Sequence, residues 1–596
     1  MRTQLTALRE VMRQKGIDIY IVPTADFHES EYAGDYFACR KYLTGFTGSA
    51  GTAVVTAEEA GLWTDGRYFL QAGTQLEGSG FTLYKMGEKG VPGTKAFIEE
   101  KLPEGGVIGF DGRVINAAWG RELADIAEKK GGSLHTSEDL IGQIWTDRPA
   151  LACSKAWILK ETYSGESTAS KLEKLRKIMA EKGASMHVVT CLDDIAWILN
   201  LRGSDVKHCP LLFSYLILTK KGCLLYIQSG SLDDEVRAYL TENGVSIQPY
   251  DSIYDLADAM RNRSVGKVLM NAKTVNFRLY EAISEGNEII DEANPSQLLK
   301  ACKNETEVKN IRDAHIKDGV ALVKWLKWLK ENVGRIPMTE ISIADKLAAS
   351  RASMENFLDL SFGTICGYEA HGAIIHYGAT EETDVPVEAK GLLLVDSGGH
   401  YLEGSTDITR TIVLGPVTPD EKRMFTLVLK GHFALAGAKF PRGVTGLNLD
   451  ILARKPLWDN GLDYRHGTGH GVGYLLNIHE GPNAFRWQMP ASGKPAQLQE
   501  GMITSDEPGY YEDGVFGIRH EDELLVVRDS ETAYGEFLRF ENLTYCPFDL
   551  EGIDVTLLDA NEKKQLNDYH KHIYETLSPY LTKEEQLWLH YETREI

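Results

Sequence analysis

The stretch 391–415, GLLLVDSGGHYLEGSTDITRTIVLG, constrains this chain more than any other. An apolar strand ends at Asp396, turns through Ser-Gly-Gly, and returns through a strand containing Asp407, Thr409 and Thr411. A hairpin of this kind sets the two aspartates side by side. Carboxylates forced together in a partly buried place repel, and must protonate, find cationic partners or bind metal. An ordinary exposed turn aspartate accounts for Asp396. It does not account for Asp407, because an aspartate inside a β-branched strand has no capping or turn role there.

A second pair of carboxylate-bearing strands follows, MITSDEPGYY at 502–511 and GIRHEDELLVV at 517–527. Alternation along the latter puts Arg519, Glu521 and Glu523 on one side and His520 and Asp522 on the other, so spacing leaves Glu521 and Glu523 equivalent. Between the two pairs lies HGTGHGVG, 466–473, where four glycines around His466 and His470 free the backbone to approach a ligand closely. Metal or substrate contact there competes with ordinary packing. His479, in NIHEGP at 477–482, reads equally as a core histidine or a substrate donor. The donor set is rich in carboxylate, has imidazole and lacks thiolate, which suits Mn²⁺, Co²⁺ or Zn²⁺. Four carboxylates over-neutralise one cation. Two cations sharing bridging carboxylates balance them, and a pair about 3.5 Å apart is the usual hydrolytic arrangement.

At 596 residues the chain exceeds one hydrophobic core, and its 43% hydrophobic and 25% charged composition is that of a soluble globular protein of three or four domains. The net charge of -22, with no basic run to offset it, excludes a phosphate backbone as partner. The longest apolar run, 211–218, falls far short of the ~20 residues that span a bilayer, so no membrane segment is expected. The N-terminal residues read as an amphipathic helix running into a strand, without a signal core. The eight cysteines are scattered without CxxC pairs, as reduced thiols are. A cytoplasmic location follows as the expectation.

The first segment alternates helices and strands, with 60–70, AGLWTDGRYFL, among the strand-like runs. A second segment, beginning near Thr162, repeats the plan with a charged helix at 169–183 and a hairpin through 211–228. The likeness of LTGFTGS, 43–49, to LNLRGS, 199–204, makes duplication a hypothesis. The third opens near Cys302 with a capping box, NETE at 304–307, and a long helix on which Trp325 and Trp328 read as core packing. The chain closes in a helical tail from about Asn561 to Glu595, read as surface packing rather than chemistry. The expected domains are 1–158, 159–302 and 303–596.

Seven motifs stand in order over 372–522: GAIIHY, VDSG, TDITRT, HGTGHGVG, NIHEGP, DEPGYY and GIRHED. On these the C-terminal segment resembles the pita-bread metallopeptidases of family M24, most closely the X-prolyl aminopeptidase (aminopeptidase P) family. The N-terminal segments resemble the two creatinase-type domains of its three-domain cytosolic form through SEYAGDYFACRKYLTGFTGSAGTAVVT, LWTDGRY and LDDIAWILNLRGSD. The resemblance implies two creatinase-type α/β domains followed by an α+β pita-bread catalytic domain with a helical tail. It implies two divalent ions, Mn²⁺ first, with Asp396 on one, His470 and Glu507 on the other, and Asp407 and Glu521 bridging, which chooses Glu521 over Glu523.

It further places His376 and His479 on the substrate side, His466 along the pocket, and Arg519 as a residue that orients carboxylates. The implied activity is release of an N-terminal residue that precedes proline, with hydroxide held by the cations as nucleophile and Glu507 taking its proton. A homodimer is implied as well. Tyr377, Tyr510 and Tyr511 stand as pocket walls or as plain packing. His371 and His520 depart from the family's patterns. The alternatives are a prolidase, with the same ligands but a need for a dipeptide's free carboxylate, and a metal-free peptide-binding relative, which five filled ligand positions disfavour.

Overall fold

The short apolar runs of the N-terminal half form strands because each is bounded by turns and covered by helices. A computed structural model describes residues 2–490 and 493–596 and divides into one unit of Met1–Lys160 with Glu166–Ser296 and another of Glu161–Gly165 with Gln297–Ile596. The first unit holds two six-stranded sheets. In order across the sheet, one runs Thr82–Lys85, Ala60–Thr64, Thr52–Thr56, Ile19–Pro23, Val107–Gly109, Ser133–His135. The other runs Val245–Pro249, Cys223–Ile227, Ser214–Thr219, Met186–Val189, Lys267–Met270, Glu288–Asp291.

Both sheets repeat one topology. A central strand is antiparallel to a hairpin on one side, which ends in a parallel edge strand, and is parallel to two strands on the other. The two short similar sequences fall at the same place in each plan. LTGFTGS and LNLRGS both begin at the C-terminal end of the helix after the central strand, where Gly45 and Asn200 cap Cys39–Thr44 and Leu192–Leu199 in the left-handed region. The run 60–70 is not all strand. It ends at Thr64, and a helix begins at Phe69, because Asp65 accepts the Arg67 N–H through its side chain and the Tyr68 N–H through its carbonyl, closing a turn.

In the second unit the long helix Glu305–Asn332 starts on the reciprocal capping box of Asn304 and Glu307. Trp325 is buried on it and donates its indole N–H to Ile343 O at 3.2 Å, which is a packing role. Against this helix lies an antiparallel sheet of Ile365–Tyr368, Leu392–Ser397 and Ile408–Val413, the last two buried at every position. A four-stranded sheet orders Lys439–Pro441, Gly535–Asn542, Asp522–Thr532 and Ile503–Asp506, and a two-stranded ribbon joins Gly509–Glu512 to Phe516–Arg519.

The tail does more than cover a surface. Its helix Ala560–Leu577 buries Leu566, His570, Ile573 and Leu577. It also inserts Tyr569, whose hydroxyl accepts from Arg410 at 2.9 Å and donates to Thr544 O at 2.9 Å. No local pattern announces this, because Tyr569 and Tyr574 both stand on a polar-patterned helix and nothing near them in sequence tells which one reaches a buried network. Among the described residues, no helix is long and apolar enough to cross a membrane.

Candidate metal centre

Two adjacent strands break at the same level, and the centre forms at the break. Asp506 pairs with Asp522 on one side of it, and Gly509 with Arg519 on the other. Glu507, Pro508, His520 and Glu521 lie between, outside any strand. Pro508 has no N–H to give the ladder, so of the two bonds its pair could make only one remains, His520 N–H to Pro508 O at 3.3 Å. The freed backbone groups bind elsewhere: Glu507 N–H donates to Thr468 O at 2.7 Å, and Glu521 N–H to Thr409 O at 3.1 Å. The fork is thereby tied to the glycine loop on one side and to the strand beyond Asp407 on the other. The glycines permit the approach. A Cβ on Gly469 would lie 1.7 Å from Ser505 O, and one on Gly471 2.1 Å from Glu480 O.

Different partners separate the two glutamates that alternation leaves equivalent. Glu521 joins Asp407 and His470, whose ligand atoms all lie within 4.8 Å of one another. Glu523, past the break, is buried against His315, with its Oε1 3.3 Å from the His315 Nε2. Asp407 itself is not within a strand. Its strand starts at Ile408, because 398–406 leaves the sheet and forms a small hairpin of Gly399–Tyr401 with Gly404–Ser405. Asp396 pairs in register with Thr409, and both aspartates are buried, at 8% and 4% exposure, so the reading of Asp396 as an exposed turn residue does not hold.

His470 donates its Nδ1–H to Gly471 O at 3.0 Å and so presents Nε2 to the carboxylates, 3.4 Å from Asp407 Oδ2 and 3.6 Å from Glu507 Oε1. Arg519 grips the opposite end. It donates to Asp396 Oδ2 at 2.7 Å, to the Thr409 hydroxyl at 3.2 Å and to the Tyr511 hydroxyl at 2.9 Å. Thr409 in turn donates to Glu521 Oε2 at 2.7 Å, a link that no sequence motif announces.

The electrostatics are those of a cluster short of positive charge. Burial raises the Asp407 carboxyl to about 6, with the hydrogen bond to His470 opposing and the Asp396 charge adding. Burial, then the charges of Asp407, Asp396 and Glu507, push Glu521 well above the carboxylate range. For His470 burial acts downward, but the hydrogen bond to Asp407 and the charges of Glu507 and Asp407 outweigh it and lift the imidazole to about 9. Asp396 Oδ1 is buried with no hydrogen-bond partner among the described residues. Four carboxylates and one imidazole in this state fit a pair of divalent cations, which would satisfy the unpaired oxygen and relieve the repulsion.

Behind the fork the neighbouring residues face the other way. His432 sits between Asp522 and Asp506, its Nε2 3.0 Å from Asp522 Oδ2 and its Nδ1 3.4 Å from Asp506 Oδ2. Arg410 pairs with Asp522 Oδ1 at 2.7 Å and donates to Glu521 O at 2.7 Å. His520 stays among apolar groups, its ring 4.2 Å from that of Phe425, and burial followed by the Arg410 and His432 charges keeps it well below the usual histidine range.

The substrate-side histidines differ from one another. The His479 ring lies 4.2 Å from that of His470, edge to face. His376 is half-buried and close enough to His466 to act on its charge. Both ring nitrogens of His466 are already engaged, Nδ1–H with Gly467 O at 2.6 Å and Nε2 with the Tyr511 hydroxyl at 2.7 Å. Burial and the Arg519 charge hold it well below its ordinary value, so it is neutral and anchors Tyr511. Tyr377 turns its hydroxyl to Glu340 at 2.8 Å rather than toward the carboxylates.

Known proteins bear on this geometry. The creatinase/prolidase N-terminal domain matches residues 4–143 and again 147–307, metallopeptidase family M24 matches 309–528, and the C-terminal region of M24 peptidases matches 536–596. Aminopeptidase P2 of Arabidopsis thaliana is 41% identical over 98% of this chain and 87% of its own. A probable Xaa-Pro aminopeptidase P of Botryotinia fuckeliana is 40% identical over 100% and 92%. The crystal structure of X-prolyl aminopeptidase from Caenorhabditis elegans, described as a cytosolic enzyme with a di-nuclear active site, superposes with a TM-score of 0.94 at 34% identity, covering 100% of this chain and 99% of that one. The two creatinase-type matches, the M24 match and full-length identities near 40% establish that this chain belongs to the aminopeptidase P family of M24 metallopeptidases.

Proposed function

We propose that this chain is an aminopeptidase that releases the N-terminal residue from peptides with proline in second position, using two divalent cations. The observation that carries the reading is the convergence of Asp407, His470 and Glu521 at the strand fork, with Asp396 offering a buried oxygen that no group among the described residues binds. Asp396, Asp407, His470, Glu507 and Glu521 would hold the pair, Asp396 toward one cation, His470 and Glu507 toward the other, and Asp407 and Glu521 toward both. When bound, the cations supply Lewis acidity and lower the pKa of water toward neutrality. The carboxylate-rich donor set favours Mn²⁺.

The chain's own residues do the rest. Glu507, half-exposed at the edge of the cluster, takes and holds the proton lost by water. His376 and His479, also half-exposed, donate to the carbonyl oxygen as it gains charge, and such donors are typically worth about 3 to 4 kcal/mol each. Arg519 fixes the orientation of Asp396, and His466 holds Tyr511 in place for Arg519. A proline nitrogen brings no hydrogen to the scissile bond, so recognition falls on pocket shape rather than on an acceptor for an amide. The names borne by the Arabidopsis and Botryotinia relatives and the description of the nematode structure support the same reading, including a cytosolic location. A homodimer of three-domain subunits, divided at 1–158, 159–302 and 303–596, completes it.

The test is metal analysis of the purified chain together with hydrolysis of Xaa-Pro, Xaa-Pro-Xaa and longer peptides. Two cations per chain and cleavage that requires a residue after proline are expected. Cleavage of dipeptides alone would make it a prolidase, and an active preparation with no bound cation would end the metallopeptidase reading.

A further inference from the structure

Glu340 opens the helix Glu340–Ala352 and is fully buried. A carboxylate taken out of water needs donors on its lone pairs. Here they come from one short segment. Oε1 accepts the Tyr368 N–H at 2.7 Å and the His371 Nδ1–H at 2.9 Å. Oε2 accepts the Tyr377 hydroxyl at 2.8 Å and lies 3.0 Å from the same His371 nitrogen. The three donors span 368–377, and His376 lies between the last two.

Beyond Tyr368, which ends the strand Ile365–Tyr368, the segment has little regular structure with which to hold itself. It is a 3₁₀ turn, Glu369–Ala373, followed by irregular chain whose own backbone bonds are Ile374 N–H to His371 O at 3.1 Å and Tyr377 N–H to Ile374 O at 2.9 Å. It is pressed onto the ribbon that leads into the strand fork. A Cβ on Gly517 would lie 1.8 Å from Gly372 O, and Gly517 precedes Arg519 by two residues.

We propose that Glu340 is the positioning residue for His376: by gripping Tyr368, His371 and Tyr377 at once, its carboxylate sets where the intervening imidazole stands relative to the metal ligands. This gives His371, which has no part in the metal centre, a function as one arm of that grip. The inference rests on the substrate-side role proposed for His376.

The experiment is a double-mutant cycle in the full-length enzyme with Mn²⁺ and an Xaa-Pro-Xaa peptide, combining Glu340→Gln with His376→Ala. Glutamine keeps the volume but removes the charge and turns one acceptor oxygen into a donor, so the grip weakens: if that donor faces Tyr377, the hydroxyl must reverse to accept it and give up its own bond to Glu340, and His371 is left one acceptor instead of two. The reversed hydroxyl can give its proton to Thr383 O, 3.2 Å away. Because a positioned donor to the developing oxyanion contributes about 10²- to 10³-fold, partial misplacement should lower kcat about tenfold with KM changed less than about threefold. Mn²⁺ affinity by calorimetry should stay within about threefold, and Glu340→Gln should change kcat less than about twofold when His376 is already alanine.

Tyr377→Phe, which removes a single bond, should give a smaller loss of about threefold and the same non-additivity. It decides the matter if Glu340→Gln does not fold. Equal losses with and without His376 would mean a merely structural role and would overturn the inference. So would unchanged kcat in both single variants while His376→Ala is impaired, which leaves the role of His376 standing. If His376→Ala itself turns over normally, that role fails and the inference fails with it.

Discussion

Lys303 bridges the two loops that carry His470 and His479, and its removal has an effect whose size follows from the structure. Its ammonium donates to Glu480 Oε1 at 2.7 Å and to Val472 O at 2.6 Å, and the Lys303 and Glu480 side chains are each 1% exposed. Glu480 follows His479 and donates its own N–H to Gly471 O at 2.7 Å, next to His470. A second buried lysine, Lys300, stands 3.7 Å from Glu480 Oε2. At an effective dielectric near 20, the gross attraction is about 6 kcal/mol at 2.7 Å and about 4.5 kcal/mol at 3.7 Å. Desolvation reduces both. Breaking a buried pair by removing one partner costs about 3 to 5 kcal/mol net.

In Lys303→Met the carboxylate keeps Lys300, so the loss should fall at the low end, about 3 kcal/mol. Glu480→Gln instead leaves two buried ammonium groups without their carboxylate and should cost more, about 5 kcal/mol. The assay is urea denaturation of the full chain, read on the transition that Mn²⁺ shifts, since a cation that binds only the folded site marks the unit that holds it. Glutamine costing less than the methionine change, or either variant within about 0.5 kcal/mol of the parent, would refute the account of a single carboxylate holding two buried lysines.

Further variants probe the centre itself. Glu521→Gln should abolish stoichiometric binding of two cations while Glu523→Gln retains it, as counted by elemental analysis, because Glu523 answers to His315. His479→Ala should lower kcat with both cations still bound; loss of metal there would make it a ligand. Arg519→Lys should keep the bond to Asp396 and lose those to Thr409 and Tyr511, at about 1 kcal/mol each, weakening Mn²⁺ affinity by roughly thirtyfold in calorimetry. In the first unit, burial lowers the pKa of His187 to about 4. The unfolded chain therefore binds the proton first, and stability is lost as pH falls from the unfolded value near 6.5 toward 4, by about 3 kcal/mol at most. His187→Leu should narrow the difference in melting temperature between pH 7.5 and pH 5, and an unchanged difference would reject the assignment.

Much of the fold was legible where local rules and tertiary need agree. The capping box at Asn304, the hairpin of Ser214–Thr219 with Cys223–Ile227, and the apolar strand ending in Asp396 all lie where their patterns placed them, because each is settled by contacts near in sequence. The choice between Glu521 and Glu523 was not legible from spacing. Alternation holds through the gap, with His520 and Asp522 both against the helix Pro419–Ala436, so it cannot tell Glu521 from Glu523; the partners do, since Glu521 meets Asp407 and His470 while Glu523 meets His315. The same alternation explains why each ligand glutamate has a buried aspartate beside it. Glu507 and Glu521 leave the pleat toward the cluster, while Asp506 and Asp522 remain paired in the sheet and meet His432, with Arg410 and Tyr569 beyond. Four carboxylates in two adjacent pairs could not all face one pocket without matching positive charge. Sequence displays the pairs, but the residues that neutralise or hydrogen-bond the rear pair come from a helix, a strand and a tail helix far apart in the chain, and no local pattern connects them. Glu340 is hidden for the same reason: it stands at a helix start, where an acidic residue is ordinary, and its function lies in the three donors that a distant loop brings to it.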